Sequence, residues 1–175
     1  RQMCIRDRNT NKKLNMTMLC DFYELTMGNG YFKAGYKDRI THFDLFFRSV
    51  PDKGGYAIAA GLEQVIEYIQ DLHFEPEDIE YLRSRKMFDE GFLDYLANFK
   101  FTGDIFAVPE GTPVFPNEPI LTVRAPAIQS QLLETYLLLT INHQSLIATK
   151  ANRIVRAARG RTVLEFGSRR AQGSS

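Results

Sequence analysis

Apolar and polar residues alternate with the period of a helix in some segments and with the pattern of a strand in others. The changes between the two divide the sequence into elements. The clearest helical pattern has apolar residues three or four positions apart. They are Leu62, Val65, Ile66, Ile69 and Leu72. Glutamate and glutamine occupy the positions between them, so the spacing predicts an amphipathic helix from 61 to 72.

Four other segments carry helical signals. Residues 21 to 36 form a pattern that is apolar on two faces and predicts a helix covered on both sides, with Gly35 as its stop. Pro76 and the acidic residues around it favour the start of a helix. This helix is expected to run to about residue 85. A short helix is expected over 92 to 99, and a long one over 126 to 159. One face of the long helix is lined by Ile147, Ala151, Ile154, Val155 and Ala158.

Extended segments show aromatic and β-branched residues between prolines and glycines. Residues 40 to 48 predict a strand, and a small sheet with tight turns is expected from 104 to 108, 113 to 115 and 120 to 124. After the long helix and Gly160, residues 161 to 166 predict a further strand.

The order helix, glycine, strand and charged loop is typical of α/β proteins, in which ligands bind at the carboxyl ends of parallel strands. It fits a βα barrel and an open sheet equally well. We expect residues 1 to 13 to be a non-native or disordered leader, 14 to 125 an N-terminal α/β domain, and 126 to 175 the start of an α/β barrel. Because the chain stops directly after a charged segment, we interpret it as a truncated form.

Charge and cysteine content narrow the classes of partner. The 22 basic and 21 acidic residues leave a net charge of +1, which gives no basis for a nucleic-acid or membrane-surface partner. No stretch approaches the roughly 20 apolar residues of a membrane span, and the start lacks a secretory signal. The two cysteines form no zinc or disulfide pattern, so the cytoplasm is the expected location.

The best candidate site follows the last predicted strand. Phe166 offers a ring for stacking, and Arg169 and Arg170 are planar, permanently charged donors suited to carboxylate or phosphate. The combination suits a flat anionic ligand. A surface pair of arginines on a loop is the alternative reading.

Six motifs along the chain resemble those of nicotinate phosphoribosyltransferases, in the order that the family has them. They are Asp21-Phe22-Tyr23-Glu24-Leu25-Thr26-Met27 with Gly30-Tyr31-Phe32, Phe43-Asp44-Leu45-Phe46-Phe47-Arg48, Gly55-Tyr56-Ala57-Ile58-Ala59-Ala60-Gly61-Leu62-Glu63, Pro109-Glu110-Gly111-Thr112, Leu146-Ile147-Ala148-Thr149-Lys150-Ala151, and Glu165-Phe166-Gly167-Ser168-Arg169-Arg170-Ala171-Gln172-Gly173. Each motif alone is weak, but six in order are specific, and they cover residues 16 to 173.

The resemblance implies an enzyme of NAD biosynthesis and salvage. Members of the family transfer phosphoribose from phosphoribosyl pyrophosphate to nicotinate, giving nicotinate mononucleotide, with ATP as cosubstrate and Mg²⁺ expected beside it. It also implies a type II phosphoribosyltransferase-like fold, in which an α+β N-terminal domain leads into an irregular α/β barrel. Homodimers with active sites shared between subunits are implied as well.

Carried over residue by residue, the resemblance implies a substrate-binding set. Tyr23 would reach into the neighbouring subunit's site and stack on the pyridine ring, and Phe166 would be the opposing face. Gly167 belongs to the same substrate-binding set. Arg169 and Arg170 would meet the substrate carboxylate or the ribose phosphate. The roles of the two arginines stay unassigned.

The family's phosphorylated histidine lies in a later part of the barrel, so no catalytic residue is expected within this chain. The histidines present are His42, His73 and His143, and each is interpreted as structural. Glu110 is interpreted as a turn residue. No metal site is expected from the residues.

Three alternatives stay open at this point. A nicotinamide-specific enzyme would share the architecture, and residues 134 to 149 faintly resemble quinolinate phosphoribosyltransferases. The paired arginines favour an anionic substrate. A non-catalytic dimerising or ligand-binding fragment is the alternative of a different class.

Overall fold

The computed structural model describes residues 15 to 50 and 53 to 171. The predicted leader, residues 1 to 13, lies outside the described residues, as do Gln172 and Gly173 of the last motif. No helix in the described ranges combines the length and apolarity needed to cross a bilayer.

Helices form at each of the positions where helical spacing predicts them. They are α1 (Phe22–Lys33), α2 (Leu62–Asp71), α3 (Pro76–Ser84), α4 (Glu90–Ala97), α5 (Ala127–Gln131) and α6 (Glu134–Ala158). The expected start of α3 is confirmed, since Pro76 opens it and Glu77 and Asp78 lie in its first turn.

The predicted single helix from 126 to 159 is wrong in one respect, because it is two helices. A turn at Leu132 and Leu133 separates α5 from α6. Both leucines are buried, at 3% and 0% exposure. The apolar pattern therefore continues through the turn, and periodicity alone does not reveal the break.

The predicted extended segments form strands, but they belong to two sheets rather than one, and only the last of these strands is longer than predicted. The central strand β5 (Leu121–Pro126) pairs antiparallel with β1 (Ile40–Leu45) on one side and with β3 (Asp104–Ala107) on the other. A second sheet joins β2 (Ala57–Ile58) to β4 (Pro113–Val114), also antiparallel. The two-residue strand β2 had not been predicted, because it is too short to show a period.

The strand predicted over residues 161 to 166 is absent from the structure. The segment is irregular and its side chains are exposed, with Leu164 at 72% and Phe166 at 75%. A strand needs a neighbour to receive its backbone hydrogen bonds. No described strand pairs with this segment, so its β-branched composition does not produce a strand here.

The core draws side chains from α4, α5 and β5, among other elements. Its most fully buried side chains include Phe92, Leu93, Leu96, Leu121, Ile128 and Leu133. Helix α1 covers this core with Leu25 and with Gly28, where a Cβ would lie 3.2 Å from the Phe92 ring. Within the described part of this single chain, only one face of α1 is covered, and its opposite face is open. Phe22, Tyr23 and Met27 are 41% to 46% exposed.

Helix α6 holds the β2 segment through three polar side chains spaced along one face. Ser145 Oγ accepts a hydrogen bond from Ala60 N at 3.1 Å, and Thr149 Oγ1 accepts one from Ile58 N at 2.8 Å. Asn152 Oδ1 accepts one from the Tyr56 hydroxyl at 3.0 Å. The first two contacts supply backbone partners that so short a strand cannot obtain from a sheet alone.

Candidate active site

The first turn of α1 is fixed to the first turn of α6 by Glu24. One oxygen of this carboxylate, Oε1, accepts hydrogen bonds from Asp21 N at 3.3 Å, from Thr135 N at 3.2 Å and from the Thr135 hydroxyl. Glu24 has no exposed surface. A carboxylate that accepts several donors in a buried position fixes the relative placement of the two helix ends.

The second oxygen of Glu24, Oε2, has no hydrogen-bond partner. Burial therefore raises the pKa of Glu24, although the hydrogen bond from Thr135 opposes the shift. Burial also raises the pKa of the nearby Cys20 thiol to about 12, with Glu24 adding to the effect. The thiol is thus protonated at neutral pH and is a packing group rather than a nucleophile.

Tyr23 lies beside this junction, on the open face of α1. Its hydroxyl donates a hydrogen bond of 2.5 Å to Glu134 Oε1. The other oxygen, Glu134 Oε2, accepts from Gln131 Nε2 at 2.9 Å, and Gln131 is 2% exposed. The hydrogen bond to Glu134 raises the pKa of Tyr23 well above its usual range. The phenol is therefore a protonated donor with a fixed partner, and its ring is 42% exposed.

An open cleft of about 330 Å³ begins at Glu134 and lies between β1 and α6. Its walls are largely apolar, with Asp44, Arg48, Ser130 and Glu134 as the polar groups. The apolar part includes Phe43, Leu45, Phe46, Leu137 and Leu138. Predominantly apolar walls with a few polar groups are typical of small-molecule sites.

The predicted site residues of the last motif lie elsewhere, in the exposed segment that follows α6. Ser168–Arg170 form a single 3-10 turn, and the side chains of Arg169 and Arg170 are exposed. Gly167 N donates to the Glu165 carboxylate within the same segment. No hydrogen bond or ring contact joins Tyr23 to this segment in the described part of the chain. The structure therefore shows no direct contact between the two halves of the predicted site.

Helix α6 lies between the two along the chain. Glu134, the partner of Tyr23, is its first residue, and Phe166 comes eight residues after its last residue, Ala158. A helix of 25 residues is about 37 Å long. Tyr23 and the arginine pair are thus linked to opposite ends of one rigid element.

Sequence reasoning missed Glu24 and Glu134. Asp21 and Glu24 have the spacing of a capping box, so a signal for Glu24 was present in the sequence. Glu134 lies 111 positions from Tyr23, and no local pattern connects them.

Glu110 lies in a turn, as expected, and has a second role. Its Oε1 accepts from Gly61 N and from Leu62 N, both at 2.7 Å, at the start of α2. A carboxylate at a helix N-terminus satisfies free N–H groups and complements the helix dipole.

The histidines show no shared site. His73 hydrogen-bonds to the Asp71 carbonyl and to Glu75, while His42 lies on β1 and His143 on α6. In residues 15 to 50 and 53 to 171, no three His, Cys, Asp or Glu side chains cluster in a way that could hold a metal ion.

Comparison with protein families gives a match over most of the chain. Residues 18 to 142 match the model of the nicotinate phosphoribosyltransferase (NAPRTase) N-terminal domain. The matched range holds α1 through most of the first half of α6, and it includes Tyr23, Glu24 and Glu134. The segment with Phe166, Arg169 and Arg170 lies beyond it.

Similar curated proteins are nicotinate phosphoribosyltransferases. The chain is 45% identical over 157 residues to nicotinate phosphoribosyltransferase pncB2 of Mycobacterium tuberculosis, which covers 90% of this chain and 34% of the relative. It is 42% identical to the nicotinate phosphoribosyltransferase of Bacillus subtilis, with 90% and 32% covered. The chain thus spans about a third of the length of the curated relatives that it matches.

Two solved structures share the fold. The human nicotinic acid phosphoribosyltransferase matches with a TM-score of 0.83 at 37% identity, over 90% of this chain and 32% of that one. The nicotinate-nucleotide pyrophosphorylase from Pyrococcus furiosus matches with a TM-score of 0.67 at 21% identity, over 98% and 36%. At that identity, the second likeness concerns the fold alone.

Proposed function

The chain belongs to the nicotinate phosphoribosyltransferase family, and from that premise we propose that it acts, within a longer polypeptide, in the transfer of phosphoribose to nicotinate. The donor is phosphoribosyl pyrophosphate, and the products are nicotinate mononucleotide and pyrophosphate. The observation that carries the proposal is the match of residues 18 to 142 to the family's N-terminal domain.

The phosphoribosyl transfer determines which groups the active site must provide. The ring nitrogen of nicotinate attacks the anomeric carbon as pyrophosphate leaves, so positive charge develops on the sugar. Catalysis of this kind depends mainly on positioning the two reactants and on stabilising charge. Tyr23 is suited to positioning a flat ring, because its own ring is partly exposed and its hydroxyl is held by Glu134.

We assign Tyr23, Phe166, Gly167, Arg169 and Arg170 to substrate binding. The two rings would sandwich the pyridine, and the arginines would meet its carboxylate or the ribose phosphate. The length of α6, about 37 Å, supports a pocket in which Tyr23 comes from one subunit and the arginine segment from another. This is the reason to propose a homodimer with shared sites.

ATP as cosubstrate and Mg²⁺ are part of the proposal for the longer enzyme. Among residues 15 to 50 and 53 to 171, no three His, Cys, Asp or Glu side chains cluster around a common point. We therefore assign no step of the reaction to the metal in this chain. The cytoplasm stays the proposed location.

The test compares this chain with a version extended to the length of its relatives. We expect the extended enzyme to form nicotinate mononucleotide, and the 175-residue chain to form none. Nicotinate, nicotinamide and quinolinate, carrying one, no and two carboxylates, are offered in parallel. Clear preference for either of the last two would overturn the proposed substrate, and product formation by the short chain would overturn its inactivity.

The role of Tyr23 is tested by Tyr23→Ala in the extended enzyme. Loss of one stacked ring should weaken nicotinate binding by about 1 to 3 kcal/mol, measured by calorimetry. Tyr81→Ala is the control, because Tyr81 is 53% exposed on α3 and lies outside the assigned set. An unchanged affinity in Tyr23→Ala would remove Tyr23 from the site.

A further inference from the structure

The Tyr23 hydroxyl is held by a chain of side chains that runs into the core. Tyr23 donates to Glu134 at 2.5 Å, and Glu134 in turn accepts from Gln131 at 2.9 Å. Gln131 is almost fully buried, and it is the last residue of α5. Glu134 thus has one oxygen tied to the interior and the other directed at the exposed ring.

The backbone around Glu134 is equally constrained. Thr135, the next residue, donates its N–H and its hydroxyl to buried Glu24 on α1. Tyr23 and Glu24 are adjacent in α1, as Glu134 and Thr135 are in α6. Two neighbouring pairs of residues therefore bridge the same two helix ends, and the bridge leaves the Tyr23 ring little freedom to swing away from α6.

We propose that Glu134 is a positioning residue for nicotinate, which holds the Tyr23 ring at the angle needed for stacking through the Tyr23–Glu134–Gln131 chain. The inference rests on the proposed function, since it gives Glu134 a part in that binding site. A ring fixed before the substrate arrives loses less conformational entropy on binding. Removing Glu134 should then weaken nicotinate binding without removing any group that touches nicotinate.

The link itself is tested in the 175-residue chain, without substrate. The charged groups that face the Tyr23 hydroxyl are Glu134 on α6 and Glu24 and Asp21 at the start of α1. NMR titration of ring-labelled tyrosine, assigned with Tyr23→Phe, should give a lower pKa for Tyr23 in Glu134→Gln than in the wild type. Glu63→Gln, an exposed carboxylate on α2, is the matched control and should leave the titration unchanged. An unchanged Tyr23 titration in Glu134→Gln would overturn the inference.

Kinetics of the extended enzyme test the consequence. Glu134→Ala and Tyr23→Phe should each raise KM for nicotinate about 5- to 10-fold, with kcat and the KM for phosphoribosyl pyrophosphate changed less than about 2-fold. The double variant should be no worse than either single one, because both remove the same hydrogen bond. Glu134→Gln keeps an acceptor oxygen and should restore most of the nicotinate KM.

These measurements distinguish a failure of the positioning role of Glu134 from a failure of the proposed function. If Tyr23→Ala raises the nicotinate KM and Glu134→Ala does not, the positioning role is wrong and the proposed function stands. Additive effects in the double variant would also contradict it. If the extended enzyme does not use nicotinate at all, the proposed function fails, and the titration then reports only a structural link.

Discussion

At the scale of single residues, the junction of α1 with α6 depends on a buried carboxylate. Glu24 holds three donors on one oxygen and leaves the other without a partner. Such a group stabilises the fold through its hydrogen bonds, but its charge is costly when buried. Removing only the charge should therefore change the free energy of unfolding in the opposite direction from removing the hydrogen bonds.

Glu24→Gln keeps an acceptor oxygen and removes the charge. Glu24→Ala leaves the N–H and hydroxyl of Thr135 without this acceptor, while Asp21 N keeps only the Thr135 hydroxyl oxygen. We expect Glu24→Ala to lower the free energy of unfolding by about 1 to 3 kcal/mol at pH 7. Glu24→Gln should be at least as stable as the wild type. Urea unfolding at pH 7 measures both, and a glutamine variant less stable than the alanine variant would contradict this account.

The pH dependence follows from the direction of the Glu24 shift. Its pKa is raised in the folded state, so the folded protein binds the proton more tightly than the unfolded chain. This contribution to stability is fully present below the unfolded pKa and is lost as pH rises through the folded one. The stability of Glu24→Gln relative to wild type should accordingly increase as pH rises from about 4 to 7. A constant difference across that range would rule out the shift.

The residues of the candidate site were predictable to different degrees. Phe166 and the arginine pair were identified from their chemistry after a predicted strand, and Tyr23 was identified from a family motif. No sequence motif identifies Glu134, because its role comes from a hydrogen bond to a residue 111 positions away. Long-range hydrogen bonds of this kind depend on how helices pack, which a single sequence does not encode locally.

At the scale of elements, α2 depends on a cap supplied from another part of the chain. Gly61 precedes the helix with a φ of 103° and offers no side chain for capping. Glu110 supplies the acceptor instead, from the turn between β3 and β4.

Removal of this cap should weaken the fold. Glu110→Ala should lower the free energy of unfolding by about 1 to 2 kcal/mol, the usual cost of losing an N-terminal cap. Glu118→Ala, an exposed glutamate of the following turn, is the matched control and should change stability by less than about 0.5 kcal/mol. Thermal unfolding of both variants measures the difference. Equal losses of stability in the two variants would show that Glu110 acts only as a turn residue.

Two glycines give a further contrast between elements. A Cβ at Gly103 would lie 2.4 Å from Ala125 Cβ and 2.6 Å from the Arg124 carbonyl, both on β5, whereas one at Gly30 on α1 would meet nothing within 4 Å. Gly103→Ala should therefore destabilise by about 1 to 3 kcal/mol through steric overlap. Gly30→Ala should stabilise by about 0.5 to 1 kcal/mol, because alanine favours the helix. Urea midpoints measure both, and a neutral Gly103→Ala would contradict the close packing of β3 on β5.

Periodicity predicted the elements that have strong apolar patterns. It failed for segments whose structure depends on contacts with other parts of the chain. The amphipathic α2 and the strands of the β1, β5 and β3 sheet were found from the sequence. The strand β2 has only two residues and is held by polar side chains of α6. The segment 161 to 166 has strand composition and no partner, so its local preference is not expressed.

At the scale of the whole molecule, packing is uneven along α6. Its buried residues are Leu137, Thr140, Ile141, Ser145 and Thr149, and none follows Thr149. The apolar face predicted over its second half is largely exposed, with Ile154 at 47% and Val155 at 59%. The first half of the helix belongs to the core, and the second half extends from it.

Hydrogen exchange should report this difference. Amides from 151 to 158 should exchange at least about 10-fold faster than those from 138 to 146, because local opening there exposes little apolar surface. Helix α4, which contributes Phe92 and Leu96 to the core, is the protected reference. Equal protection along α6 would mean that its second half is covered in solution.

The stacked pair of Tyr68 and Tyr136 makes the docking of α2 on α6 visible to optical spectroscopy. Their ring centroids are 3.7 Å apart and their planes differ by 8°. The sequence has no tryptophan, so its near-ultraviolet absorption comes chiefly from tyrosine. Two parallel rings at this distance couple their electronic transitions, and the resulting circular dichroism is a built-in signal of native contact between these helices.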